Sequence, residues 1–258
     1  MSTALTLLDF DGAVARLTLN RPERHNSLVP ELIASLLDNL RKVASREGLR
    51  ALILQAAGRS FSTGGDVEGF HATPREKRRA YADTLVGGLN EAIIALLDLP
   101  VPVIGRVQGP VTGGSLGLML ACDLVAMAPQ AFIQPYYVQV GFSPDGGWTA
   151  LLPDRIGAAK AREIQLLNRR IMAAEAVQLG LATSLVEPES LDATIDSWLT
   201  ALTGNRPAAT AHTKRLLCPP ERRAAVVAAL DAEKQMFLTL IDGAEAEAGM
   251  AQFLRKSA

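Results

Sequence analysis

Two glycine clusters, each following a short hydrophobic run, constrain this 258-residue chain more than any other feature. The first occupies residues 61–66, Phe-Ser-Thr-Gly-Gly-Asp, and the second occupies residues 109–115, Gly-Pro-Val-Thr-Gly-Gly-Ser. The hydrophobic runs before them, 51–55 and 103–107, have strand character. Glycine lets backbone N–H groups turn toward a negative charge, and two such groups from different loops can converge on one oxygen. The clusters therefore predict an oxyanion site built by two loops.

Hydrophobic periodicity predicts an early alternation of strands and helices, followed by helices alone. Asp11-Gly12 between two apolar runs indicates a β-hairpin, and Pro30 opens an amphipathic helix. This order favours an α/β core with a helical tail over separate α and β domains. The predicted strands are 5–10, 14–19, 51–55, 103–107, 124–128 and 183–186, and the main predicted helices are 30–45, 75–97, 208–218, 221–241 and 244–254.

Composition excludes several classes of protein. With 48% hydrophobic and 21% charged residues and a net charge of −1, the chain is neither disordered nor a typical nucleic-acid binder. The basic residues between 75 and 79 are interpreted as the exposed start of a helix. Cys122 and Cys218 match no metal or redox spacing and indicate buried thiols in a reducing compartment. Without a signal-like N-terminus or an uncharged apolar stretch near ~18 residues, a cytoplasmic protein that contacts no membrane is expected.

The two clusters, their spacing and the segments between them resemble the crotonase family, also called the enoyl-CoA hydratase/isomerase superfamily. The resemblance extends from the opening strands to Phe253-Leu254. It implies an α/β spiral of ββα units over residues 1–200 and a helical region over 201–258 that forms a homotrimer or a dimer of trimers. It also implies that Gly65 and Gly114 hold the carbonyl oxygen of an acyl-CoA thioester. Coenzyme A then enters with the substrate, and no metal or redox cofactor is implied.

Further substrate contacts follow from the same resemblance. Residues 21–28 resemble the segment at which CoA enters, and Arg24 is the expected contact to the nucleotide phosphates, with an ordinary exposed arginine as the alternative. Asn26 is expected to shape the turn, and His25, His71 and His212 to be surface or loop residues. The remaining substrate-binding candidates are Asp66, Val67, Glu68 and Tyr137.

The acid and base groups depart from those of a family hydratase. The two positions where a hydratase carries glutamates are Gly117 and Tyr137 in this chain. Hydration normally uses two carboxylates, so the absence of both argues against it. Asp145, in the segment 141–148, resembles the proton-transferring aspartate of family isomerases of the phenylacetate-pathway type; the alternative is that it caps a helix running through residue 151. An acyl-CoA isomerase is therefore predicted, with a hydratase or a non-catalytic acyl-CoA binder as alternatives.

Other candidates receive less support. Tyr81 is either a catalytic tyrosine or a packing aromatic, and Asn90 replaces the base histidine of the family's dehalogenases. Ser115 fits a serine-hydrolase elbow with Asp145 and His212, but Pro110 lies between it and its strand. The acyl group cannot be assigned from the sequence, because the candidate aromatic residues fit a pocket or the core equally well; they are Phe70, Tyr136, Tyr137, Phe142 and Trp148.

Overall fold

Nine strands form within residues 4–257, the part of the chain that the computed structural model describes, without the side chains of 256 and 257. They are β1 Thr6–Asp11, β2 Val14–Leu19, β3 Ala51–Ala56, β4 Val103–Val107, β5 Val111–Thr112, β6 Leu124–Met127, β7 Phe132–Gln134, β8 Ile171–Met172 and β9 Ser184–Leu185. A six-stranded sheet has the order β1-β2-β3-β4-β6-β9, and a three-stranded sheet has the order β5-β7-β8. In the large sheet only β1 and β2 pair antiparallel, so the other strands need helical crossovers.

Twelve α-helices form in the same described part of the chain. They are α1 Pro30–Ala44, α2 Val67–Ala72, α3 Arg75–Asp98, α4 Leu116–Leu120, α5 Tyr137–Val140, α6 Leu152–Ile156, α7 Ala158–Leu166, α8 Ala173–Gln178, α9 Leu191–Gly204, α10 Pro207–Leu217, α11 Pro220–Leu240 and α12 Ala244–Ser257. Helix α1 begins at Pro30 and buries Leu32, Ile33, Leu36 and Leu40 on one face, as its periodicity predicts.

The large sheet is covered on both faces. Leu52 and Leu54 of β3 belong to the main core with residues of α1 and α3, whereas Ile53 of β3 and Ile104 of β4 pack toward α9. Strands buried on both faces carry continuous apolar runs, which explains why β3 and β4 are clear in the sequence.

The C-terminal helices share the main core. Helix α11 packs against α3 and buries Leu230 and Phe237, while α12 packs against α2 and α5. The expected division at residue 200 falls inside α9. These contacts bring the end of the chain to the same region as the two glycine clusters.

Helix α3 is long and apolar enough, by length and composition alone, to cross a membrane. Among the described residues it is the one helix with this property. Within its most apolar stretch of 18 residues, 39% is buried. Leu85, Leu89 and Ile93 place its apolar side in the main core. Core helices pass the same test, so the helix is weak support for a membrane span.

At two places the structure differs from a local interpretation of the sequence. The basic cluster at the start of α3 is not uniformly exposed: Arg78 is 3% exposed, and its guanidinium contacts Glu247 of α12 at 2.6 Å and the carbonyl of Phe70 at 2.9 Å. Residues 146–151 form turns rather than a helix, and α6 begins at Leu152 without a side-chain cap. Cys122 is buried as expected, and Cys218 is half-buried.

Candidate active site

The two glycine clusters meet at the wall of a cavity of about 860 Å³. A parallel bridge pairs Ser62 with Val111 of β5, and a Cβ placed on Gly113 would lie 3.5 Å from the Cα of Gly64. Because the clusters are side by side, amides from both loops reach the same cavity. All eight predicted site residues line it: Arg24, Gly65, Asp66, Val67, Glu68, Gly114, Tyr137 and Asp145.

The amide of Gly65 points away from the strand-like pairing of its neighbours. Leu28 donates its N–H to the Gly64 carbonyl at 2.7 Å and accepts the N–H of Asp66 at 3.0 Å. In such a bridge the groups before and after the central residue face the partner, so the central N–H faces the other side. Within residues 4–257 no protein group accepts a hydrogen bond from this amide. Its N–H is therefore available to a ligand in the cavity.

Gly114 offers the second amide. It lies in a single 3-10 turn, Gly113–Ser115, that leads into α4, where the first amides of a helix have no internal partner. No acceptor for it occurs in the described chain either. A Cβ on Gly114 would lie 2.5 Å from Asp145 Oδ1 and 2.8 Å from the side chain of Leu89. Only glycine therefore lets this backbone lie so close to the carboxylate.

Asp145 is a buried carboxylate with one oxygen engaged and one free. Tyr137 donates its hydroxyl to Asp145 Oδ1 at 2.6 Å, and no described residue donates to Oδ2. Burial raises the pKa of Asp145 to about 7; the hydrogen bond from Tyr137 opposes this shift and the charge of Glu233 adds to it. A pKa near neutrality lets the same carboxyl take up and return a proton.

The two positions where a family hydratase carries glutamates hold no carboxylate. A Cβ on Gly117 would collide with the Gly146 carbonyl and with Ile93, so this position cannot accept a larger side chain without rearrangement. Tyr137 is buried, and its hydroxyl is committed to Asp145. Burial raises the pKa of Tyr137 well above its usual value, and the nearby Asp145 carboxylate raises it further. The phenol thus stays protonated and acts as a donor.

The turn that follows Asp145 is held by Glu233, which the sequence analysis missed. Glu233 lies on α11 and accepts hydrogen bonds from the amides of Gly147, Thr149 and Ala150 and from the Thr149 hydroxyl. The side chain of Asp145 caps no helix in the structure. A buried glutamate 88 positions downstream gave no local sequence signal.

A charged cluster lies beside the first glycine cluster. Arg24 contacts Glu68 at 2.5 Å and Asp66 at 3.3 Å, and Arg21 contacts Asp66 at 2.9 Å. Asp66 also caps α2 through the Gly69 amide. Burial raises the pKa of Asp66, but the hydrogen bonds from Arg21 and Gly69 outweigh it and hold the pKa below its usual value. Asp66 is thus an ion-paired cap of α2 beside Gly65.

The sequence analysis did not predict several of the residues that line the cavity. Arg59 lines the cavity beside His25, with a guanidinium nitrogen 2.8 Å from His25 Nε2, and His25 Nδ1 is 2.9 Å from the Ser60 hydroxyl. Asn26 shapes the turn as expected, since its side chain bonds the Arg21 amide and two carbonyls. Three residues of the last two helices also line the cavity, because the tail folds back over it: Phe237, Phe253 and Leu254.

The remaining candidates lie outside the cavity. Ser115 is fully buried and its hydroxyl bonds the carbonyls of Ser62 and Thr112, while His212 is exposed on α10, so no hydrolase triad forms. Tyr81 packs edge-to-face on Phe70, with ring centroids 5.3 Å apart. Asn90 bonds the Leu230 carbonyl of α11.

Four of the five aromatic candidates line the cavity, whereas Trp148 is fully buried and bonds the Gly113 carbonyl. Within residues 4–257, no group of three or more His, Cys, Asp or Glu side chains could hold a metal ion.

Comparisons with known proteins identify the family. The family model for enoyl-CoA hydratase/isomerase matches residues 9–258. The 1,2-epoxyphenylacetyl-CoA isomerase of Escherichia coli K12 is 34% identical over 181 residues, 70% of this chain and 69% of that protein. A Mycobacterium tuberculosis protein named "Probable enoyl-CoA hydratase EchA12" is 35% identical over 69% of this chain, and the match spans 64% of that protein's length.

Solved structures confirm the predicted crotonase-like α/β fold. An enoyl-CoA hydratase from Bacillus halodurans superposes with a TM-score of 0.91 at 24% identity, over 96% of this chain and 99% of that one. An enoyl-CoA hydratase/isomerase from Pseudoalteromonas atlantica T6c has a TM-score of 0.84 at 28% identity, over 98% of both chains. By both sequence and structure, the chain belongs to the enoyl-CoA hydratase/isomerase family.

Proposed function

We propose that this protein is an acyl-CoA isomerase that moves a carbon–carbon double bond by proton transfer next to the thioester. The observation that carries the proposal is the free Oδ2 of Asp145, in a buried carboxyl whose Oδ1 lies against Gly114. The amides of Gly65 and Gly114 supply the donors to the thioester oxygen. The acyl-CoA substrate itself is part of the proposal and is consistent with the family.

The reaction needs one base and one polarised carbonyl. Asp145 Oδ2 removes a proton from the α-carbon of a 3-enoyl thioester, and the C–H electron pair moves into the conjugated enolate. The two amides stabilise the negative charge on oxygen, and each such donor is typically worth about 3 kcal/mol in the transition state. The carboxylic acid then returns the same proton to the γ-carbon, which leaves the double bond between the α and β carbons. Atoms and charge balance without water.

Hydration would need a second carboxylate, and neither hydratase position, Gly117 or Tyr137, supplies one. Among the described residues, the other carboxylates lining the cavity are Glu23, Asp66 and Glu68, and the last two are ion-paired with arginines. Water addition requires one group to deprotonate water and another to deliver a proton to carbon. The single free oxygen of Asp145 suits proton transfer between two carbons of one substrate.

Arg24 and Arg59 support binding of the CoA phosphates. Both are exposed residues at the cavity, and guanidinium groups match phosphate oxygens in geometry and charge. Arg24 would exchange its contact with Glu68, which is 61% exposed, for a phosphate. Exposed ion pairs contribute little, so the exchange costs little.

The test compares double-bond migration with hydration. The unmodified protein is expected to convert a 3-enoyl-CoA into its 2-enoyl isomer at least tenfold faster than it hydrates crotonyl-CoA. Asp145→Asn keeps the size of the side chain and removes the base, so isomerisation should fall by about 10²-fold or more. Faster hydration would favour the hydratase alternative. Tight CoA-ester binding without α-proton exchange would identify a non-catalytic binder.

We also propose a cytoplasmic homotrimer, or a dimer of trimers, that needs no metal or redox cofactor and binds neither nucleic acid nor membranes. The assembly is supported by exposed leucines near the ends of two helices: Leu166 and Leu167 are 71% and 72% exposed, and Leu216 and Leu217 are 79% and 81% exposed. Exposed apolar residues in groups mark interaction surfaces. The net charge of −1 supports the lack of nucleic-acid binding.

A further inference from the structure

Glu233 is a buried carboxylate that touches the active-site segment without lining the cavity. It is 5% exposed, and no described lysine or arginine pairs with it. A buried charge without a counter-ion requires several hydrogen bonds. Glu233 obtains four, all from residues 147–150, with heavy-atom distances between 2.5 and 2.9 Å. The carboxylate and this turn thus form one fixed unit.

The turn connects Glu233 to Asp145 through two glycines. Gly146 and Gly147 have φ values of +60° and +91°, a region that L side chains rarely adopt. A Cβ on Gly146 would collide with the backbone of Gly114. The segment after Asp145 is therefore packed between the loop that carries Gly114 on one side and Glu233 on the other.

The segment before the turn is held by Tyr137, which also donates to the Asp145 carbonyl at 3.1 Å. Asp145 is thus fixed at its carbonyl and at Oδ1 by one phenol, while its continuation is fixed by Glu233. Loss of either contact would let the carboxylate move relative to Gly114.

We propose that Glu233 is a positioning residue, a carboxylate on a C-terminal helix that anchors the 147–150 turn and thereby holds Asp145 beside Gly114. The proposal rests on the proposed function only in treating Asp145 as the proton-transferring group. The negative charge of Glu233 has a second effect. Burial raises the pKa of Asp145, and this charge raises it further.

Two substitutions separate position from charge. Glu233→Gln removes the charge and turns an NH₂ group toward donors of the turn, so kcat should fall at least tenfold with KM within about twofold. The pH at which Asp145 titrates should also decrease. Glu233→Asp keeps the charge and shortens the reach by one methylene, so kcat should fall while the titration stays near its original pH. Asp231→Asn is the matched control, because Asp231 is exposed on the same helix.

The experiment has a readout that does not depend on activity. Carbon-13 NMR of labelled aspartate follows the titration of Asp145, and the Gly114 amide resonance reports whether the carboxylate remains next to it. In the unmodified protein and in Asp231→Asn, the Gly114 resonance should follow the Asp145 titration. In both Glu233 variants that response should shrink, together with exchange of the α-proton of a 3-enoyl-CoA in D₂O.

A folded Glu233→Gln protein with an unchanged Gly114 response and unchanged kcat would overturn the proposal. If Glu233→Gln fails to fold, the Glu233→Asp protein decides between the same two results. If the unmodified protein exchanges no α-proton, the proposed function fails, and the NMR response of Gly114 still decides the role of Glu233.

Discussion

At the scale of single residues, Asp145 is balanced between two neighbours with opposite effects. Tyr137 donates a hydrogen bond that favours the carboxylate, whereas Glu233 contributes a negative charge that favours the carboxylic acid. Burial is the largest influence and raises the pKa of Asp145 to about 7. Substitutions of the two neighbours should therefore move the pH profile in opposite directions.

Tyr137→Phe should shift the acidic limb of kcat/KM to higher pH. The carboxylate loses its donor, so the pKa of Asp145 rises further, by about one unit for a hydrogen bond to a charged group. At pH 7 the ionised fraction of Asp145 should fall about fivefold, from about one half to about a tenth, and the part of the activity lost through this titration should return at pH 9. The pH profile of isomerisation measures this, with Tyr81→Phe as the control outside the cavity. An unshifted limb would separate Tyr137 from the titration.

Asp145→Asn should stabilise the protein in a pH-dependent way. The pKa of Asp145 is raised from 3.8 in the unfolded chain to about 7 in the folded one, so ionisation of the buried carboxyl opposes folding. That penalty is absent below pH 4, grows between pH 4 and 7, and is complete above pH 7. The asparagine avoids it, with a gain on the order of 4 kcal/mol at pH 8. Urea unfolding of both proteins at pH 4.5 and 8 checks this; an equal difference at both pH values would contradict it.

At the scale of secondary-structure elements, local pattern and distant contacts contribute differently. The β1–β2 hairpin, α1, β3 and β4 follow from turn residues and apolar periodicity, and the structure confirms them. The three-stranded sheet was missed because its strands have only two or three residues, too few for a period to show. The turn at 147–150 was missed because Glu233, far along the chain, holds it.

The site shows the same division. Gly65, Gly114 and Asp145 are recognisable because their motifs are local, and the structure brings them to one cavity. Phe237, Phe253 and Leu254 reach that cavity only because α11 and α12 fold back across it. The charge pattern predicts an exposed Arg78, but the residue is buried. Its partner Glu247 lies on the last helix, far along the chain, so no local sign of the pair is present in the sequence.

Glu247→Gln should loosen α12 and weaken substrate binding. Glu247 pairs with the buried Arg78 at 2.6 Å and is itself 43% exposed, so solvent screens part of the interaction. We expect a loss of about 1–2 kcal/mol in the free energy of unfolding, less than for a fully buried pair. KM for acyl-CoA should rise several-fold with kcat nearly unchanged, because α12 lines the cavity but does not hold Asp145. Glu245→Gln, at an exposed position on the same helix, should change neither quantity.

At the scale of the whole molecule, α11 has three tasks. It packs against α3 in the core, it places Glu233 in contact with the 147–150 turn, and it exposes small residues at 225, 228 and 232. Contacts between subunits at this helix would therefore act on the same element that anchors the 147–150 turn.

Assembly should then be required for full activity. The unmodified protein is expected to form trimers or pairs of trimers at micromolar concentration, measured by light scattering after gel filtration. Leu216→Glu with Leu217→Glu places two charges among exposed apolar residues, which should dissociate the assembly without disturbing the core.

If contacts between subunits stabilise the position of α11, the dissociated protein should lose kcat more than affinity for acyl-CoA, as the Glu233 variants do. Lys214 lies on the same helix α10 and forms an ion pair with Asp123, so Lys214→Ala tests whether loosening of α10 alone has that effect. A monomeric mass for the unmodified protein would contradict the prediction, and full kcat in the dissociated variant would show that each subunit anchors its own turn unaided.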